Sequence, residues 1–103
     1  MSVYFIATDP DQQKTGIYKV SKSTNLTNTL NILNNARALK DFRIIKNWQC
    51  ADIKKADEFI KSALKSRYIN GSTEWIRVPD ESALEKIIMK IETLIGIVND
   101  DDS

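Results

Sequence analysis

Toward its C-terminal end the chain carries apolar residues at a helical period that narrows the choice of architecture. Leu84, Ile87, Ile88, Ile91, Leu94, Ile95 and Val98 fall at i, i+3, i+4, i+7, i+10, i+11 and i+14, which places them on one face of an α-helix. Pro79, Asp80 and Glu81 precede them: a proline suited to a helix start, a capping acid and an acid in the first turn. A helix with so continuous an apolar face has to cover a sheet or another helix. The segments upstream supply the sheet.

Residues 2–8 read as a strand with Val3, Phe5 and Ala7 on one side and Tyr4 and Ile6 on the other. Both sides are apolar, as in a central strand covered on both faces. Asp9, Pro10 and Asp11 break it, and residues 15–21 form the next strand, so the polar link predicts a hairpin with a mobile loop. Ser23 or Thr24 can cap a helix starting near Asn25, whose Leu26, Leu30 and Leu33 form one buried stripe. Its Asn and Thr content makes that helix weak by propensity, so packing must hold it. Residues 42–49 are a third strand. Asp52 caps a helix running to about Tyr68, with Ile53, Ala56 and Ile60 inward and Lys54, Lys61 and Lys65 sharing an outer side. Asn70 or Gly71 takes a positive φ at the turn, and residues 73–78 are the fourth strand.

The order is β-β-α-β-α-β-α. It predicts an α/β protein of the α+β type: a small, mostly antiparallel sheet of three or four strands flanked by helices. A length of 103 residues suits one domain, expected over residues 1–98, with a disordered acidic tail at 99–103. No apolar run approaches the ~20 residues of a membrane span, and Met1 opens no signal-peptide pattern. With Cys50 the only cysteine, no intrachain disulfide or cysteine zinc site can form, and a reducing, intracellular setting is expected: cytoplasmic, or nuclear in a eukaryotic system. The chain has no histidine, which removes imidazole bases, imidazole metal ligands and every triad built on them.

The net charge of +1 hides an asymmetry. Between Lys14 and Arg67 there are twelve Lys and Arg against four Asp and Glu, and from Asp80 onward two Lys against seven acids. A basic body with an acidic end suits a polyanion-binding surface, although charge alone also suits a small domain that stays in solution. Within the basic body the residues able to do chemistry are few. Tyr4 and Tyr18 lie on the first two strands, Glu74 on the fourth, and Lys19, Lys22 and Lys61 can gather near them. A carboxylate can hold Mg²⁺ or Mn²⁺ through one or two oxygens, lysines offset phosphate charge, and a tyrosine relays a proton. Each residue alone has an ordinary reading as a packing tyrosine, a solvated acid or a wet lysine face.

Their order is more specific. Ser2-Val3-Tyr4-Phe5-Ile6 resembles the strand that opens the GIY-YIG nuclease domain, and Tyr18-Lys19-Val20-Ser21-Lys22-Ser23 with Asn25-Leu26 resembles its second motif. Lys19 stands for the second tyrosine, as in a small branch found in phage and viral proteins. Glu58-Phe59-Ile60-Lys61 with Leu64, and Glu74-Trp75-Ile76, are similar to that branch's next helix and glutamate strand. The string Gly16-Ile17-Tyr18 is a decoy, since it falls in the second strand. The resemblance implies a single-metal phosphodiesterase site, with Glu74 as the metal position, Tyr4 as the first-motif tyrosine, and Lys19 and Lys61 beside them. The chain departs from the pattern where Ser21 replaces a glycine, Thr29 an arginine and Lys61 a histidine. Losing the arginine removes a bidentate phosphate clamp.

These readings lead to a remnant nuclease site in a nucleic-acid-binding module. Lys19, Lys22, Lys61, Lys65 and Arg67 are the phosphate contacts, and DNA is the first partner. No tightly held cofactor is expected, with Mg²⁺ or Mn²⁺ at Glu74 the one candidate. The alternatives are a slow divalent-metal-dependent DNA endonuclease, and a protein-interaction or inhibitor module with a protein partner or a second copy of itself. No membrane partner is expected.

Overall fold

The fold is that of a computed structural model, which describes residues 2–36 and 42–101. Four strands, β1 (Val3–Thr8), β2 (Ile17–Ser23), β3 (Arg43–Gln49) and β4 (Trp75–Arg77), form one sheet in the order β3-β1-β2-β4. Every neighbouring pair is antiparallel. β1 is central, as its two apolar sides require. Tyr4 and Ile6 join Tyr18, Val20 and Ile76 in the larger core, while Phe5 and Ala7 join Phe42 in the smaller one.

Each core has its own cover. α2 (Leu26–Ala36) lays Leu26, Leu30 and Leu33 on the smaller core, where the rings of Phe42 and Trp75 meet edge to face at 6.1 Å. Its asparagines are not idle: the Asn34 side chain accepts from the Phe42 amide at 2.9 Å and donates to the Phe42 carbonyl at 3.3 Å. α3 (Ile53–Ala63) and α4 (Glu81–Asp101) cover the larger core. From α4, Ile87, Ile91, Ile95 and Val98 are buried, with Leu84, Ile88 and Leu94 packed at the margin. Among the described residues, no helix is long and apolar enough to cross a membrane.

Several local expectations change. The link between the first two strands is a one-turn helix, α1 (Pro10–Lys14), rather than a loop. Asp9 caps it through an Oδ1 that accepts from the Gln12 amide at 2.9 Å, and Pro10 takes the first turn. The residues that break β1 thus also start a helix. β2 accordingly begins at Ile17 and runs on to Ser23. Asn25, not Ser23 or Thr24, caps α2, its Oδ1 accepting from the Asn28 amide. α3 stops at Ala63. Lys65–Arg67 form a 3-10 turn, and Tyr68 is already extended and bridged to Ile76.

The fourth strand is shorter than expected because the Ser72 hydroxyl accepts from the amides of both Glu74 and Trp75 and holds the chain in a bend. Glu74 therefore lies just before β4, although its carbonyl still accepts from the Val20 amide at 2.7 Å. Of the two turn candidates it is Gly71 that has the positive φ, +80°. Finally, α4 continues to Asp101, through residues expected to be a disordered tail. Asn99 explains part of this: its side chain accepts from the Ala51 amide and donates to the Gln49 carbonyl, pinning the helix end to the edge of the sheet. The last two residues of that expected tail lie outside the described ones.

Candidate functional site

The site is organised by an acid that the motifs do not mark. β1 and β2 set Tyr4 directly opposite Lys22, and α3 lies over that pair with Asp57 and Lys61 one turn apart. The Tyr4 hydroxyl donates to Asp57 Oδ1 at 2.9 Å. Lys22 and Lys61 both reach Oδ2, at 2.7 and 3.1 Å. Burial alone would raise the Asp57 carboxyl, but these three donors outweigh it and hold the group below its ordinary value. Tyr4 is fully buried, and burial together with the charge and hydrogen bond of Asp57 pushes its hydroxyl far above the ordinary tyrosine value. A phenol in that position keeps its proton.

Glu74 belongs to a second cluster. Lys19 Nζ reaches Oε2 at 2.5 Å, and the Ser21 hydroxyl donates to Oε1 at 3.0 Å. Burial pulls the Glu74 carboxyl upward, and the hydrogen bond and charge of Lys19, the Ser21 hydroxyl and the charge of Lys61 bring it below its ordinary value. Lys19 also lies over the Trp75 ring, 5.0 Å from its centroid, with little of its side chain exposed. The Lys19–Trp75 register of β2 and β4 makes this contact. Ser21, at the glycine position of the resembled motif, here supplies a hydrogen bond that glycine would lack.

The two clusters are electrostatic neighbours. Lys61, bonded to Asp57, acts on Glu74, and Glu74 acts on both Tyr4 and Tyr68. Burial and the charges of Asp57 and Glu74 push the Tyr68 hydroxyl up to about 12. The expected residues thus share one region, yet Tyr4, Lys19, Lys61 and Glu74 do not converge on one open cleft. Tyr4 and Lys61 meet at Asp57, and Lys19 meets Glu74. Thr29, at the arginine position, is bonded to the Ser23 hydroxyl at 2.6 Å.

A divalent ion at Glu74 would need free carboxylate oxygens and further oxygen ligands. Here one oxygen carries an ammonium and the other a hydroxyl donor, so the residues as arranged do not fit the ion. No group of three or more Cys, Asp or Glu able to hold a metal occurs among the described residues. The cationic surface is more open. Lys22 and Lys61 keep nearly half of their side chains exposed, and Lys61 and the exposed Lys65 line a shallow pocket with Tyr68 and Asn70. Arg67 lies on the other side of the same segment, in a second pocket shared with Arg77.

Asp57 lies just outside the resembled helix motif, which begins at Glu58. Its signal was present, because an acid four residues after Ile53, between Ala56 and Ile60, falls on the apolar stripe of its helix. A carboxylate there needs partners at hand.

No curated protein and no solved structure matches the chain. The T5orf172 domain, a phage-derived domain related to nuclease-like folds, matches residues 1–92. The match takes in all four strands, α1 to α3 and the Tyr4, Lys19, Asp57, Lys61 and Glu74 positions, and the chain therefore belongs to the T5orf172 domain family.

Proposed function

We propose that this protein is a catalytically degenerate member of the GIY-YIG nuclease superfamily that binds nucleic acid through phosphate contacts. The observation that carries the reading is the internal neutralisation of the remnant site. The first-motif tyrosine donates to Asp57, and the metal-position glutamate is held by Lys19 and Ser21. In this reading the Lys19 ammonium stands where a cation would, so Mg²⁺ or Mn²⁺ would have to displace it to reach Glu74. A buried, hydrogen-bonded phenol is a poor acceptor for a water proton, and Lys61 and Thr29 stand where the resembled pattern has a histidine and an arginine. Lys22, Lys61, Lys65 and Arg67 remain at the surface and suit phosphate contacts without sequence readout. Lys19 adds charge from beneath them.

Fluorescence anisotropy of a labelled DNA duplex, and of one of its single strands, tests this across a salt series. On the duplex, four phosphate contacts give a slope of about −3.6 in log K against log salt. Lys61→Ala and Lys65→Ala should weaken binding to all sequences alike. An affinity indifferent to salt would remove the reading, and a defined complex with another protein in nucleic-acid-free extract would favour an interaction module. The same preparations, incubated with plasmid and Mg²⁺ or Mn²⁺, should leave it intact. Nicking that disappears in Glu74→Ala would establish a slow endonuclease instead.

A further inference from the structure

The antiparallel bridge between Tyr68 and Ile76 has an unusual flank. Next outward from it on the two segments are Arg67 and Arg77. Ile69 N donates to the Trp75 carbonyl at 2.9 Å and holds the pairing on the inner side. Arg67 ends the 3-10 turn and Arg77 ends β4, so the two cations flank the bridge from a turn and a strand end. Arg67 and Arg77 line one open pocket of about 510 Å³ whose other walls include Ser66, Asn70 and Pro79, with no acid among them. Among the described residues, no carboxylate forms an ion pair with either arginine. Asp80 and Glu81 border a neighbouring groove that Arg77 also touches, but neither closes on it.

Two guanidinium groups present planar forks of donors that match the oxygens of a phosphate. Asn70 and Ser66, both exposed, bring neutral polar side chains to the same walls. The pocket that contains Lys61 and Lys65 shares Tyr68, Ile69 and Asn70 with this one, so the cationic surface continues across a single three-residue segment. An anion in this pocket has both arginines on its walls and no acid beside them, and a polyanion can extend from there to the lysines.

We propose that Arg67 and Arg77 form a two-guanidinium phosphate clamp for the backbone of a nucleic-acid strand, whose neighbouring phosphates lie against Lys61 and Lys65. The clamp rests on the nucleic-acid reading above, and it adds Arg77, a residue outside the resembled motifs. It holds backbone rather than base, so it is indifferent to sequence.

The test measures duplex and single-strand binding by anisotropy for the wild type, Arg67→Ala, Arg77→Ala, Arg77→Lys and Lys61→Ala, with circular dichroism to confirm folding. In parallel, arginine side-chain NMR signals are followed as inorganic phosphate is added. Each arginine-to-alanine change should weaken binding at least about fivefold and reduce the salt slope by about one. Arg77→Lys should keep the slope but lose part of the affinity, because an ammonium cannot form the fork. Should Arg77→Ala fail to fold, Arg77→Lys and the phosphate titration of the wild type carry the test. If Lys61→Ala weakens binding while both arginine variants bind as the wild type does, nucleic-acid binding stands and the clamp is overturned. If the wild type binds no nucleic acid but phosphate shifts the Arg67 and Arg77 signals, the anion pocket stands and its ligand is not a nucleic acid. If neither occurs, both readings are overturned.

Discussion

A buried carboxylate that gathers a phenol and two ammonium groups is the residue on which this site depends. Asp57 satisfies Tyr4, Lys22 and Lys61 together, so the partners do not contribute equally to stability. Tyr4→Phe removes one donor and leaves Asp57 with its two lysines, a loss of about 1–2 kcal/mol. Asp57→Ala strands the fully buried Tyr4 hydroxyl and frees both ammonium groups, a loss of about 3 kcal/mol or more. Urea denaturation of the two variants measures the order. Equal losses would mean that Asp57 does no more than accept from Tyr4. The motifs mark Tyr4, Lys19, Lys61 and Glu74 as one centre. The division into two clusters follows from Asp57 and Ser21, whose side chains no motif marks as partners and whose importance appears only when β2 and α3 are brought together.

The elements follow the hydrophobic pattern closely and the polar pattern less so. α4 was legible because its buried residues recur at the helical period, and β1 because both of its sides are apolar. Their boundaries were not, because they depend on single polar side chains: Asp9 turns a loop into α1, Ser72 shortens β4, and Asn99 extends α4 by docking on the sheet. Gly16 has a comparable role between elements. Its φ is +74°, its carbonyl accepts from the Val78 amide at 2.7 Å, and a Cβ there would lie 2.1 Å from the Val78 carbonyl oxygen. The glycine of the misleading Gly16-Ile17-Tyr18 string is thus needed by the backbone where β2 meets β4. Gly16→Ala should cost at least about 2 kcal/mol, since the left-handed conformation and the clash add. A thermal melt gives the loss. Because β4 positions Trp75 and the Glu74 bend, the same variant should also loosen the Lys19–Glu74 contact, visible as a shift of the Lys19 ammonium signal in NMR.

For the molecule as a whole, the two clusters link the site to acid stability. Asp57 and Glu74 are both held below their ordinary values of 3.8 and 4.5 in the folded state. The folded chain therefore binds fewer protons than the unfolded chain in that range. Their contribution is complete above the ordinary carboxylate values and is lost as pH falls through the lowered folded ones. The melting temperature should hold from neutral pH to about pH 5 and then fall. In Asp57→Asn with Glu74→Gln it should start lower and decline less, and an equally steep decline would place the acid sensitivity elsewhere. α4, which closes the larger core, follows all four strands in the chain. Tyr4, Ile6, Val20 and Ile76 can pair into a sheet on the ribosome, but one apolar face stays open until residues 81–101 have emerged. In that interval the nascent chain is at its most prone to associate with others, and a chaperone that binds apolar strands would protect it then.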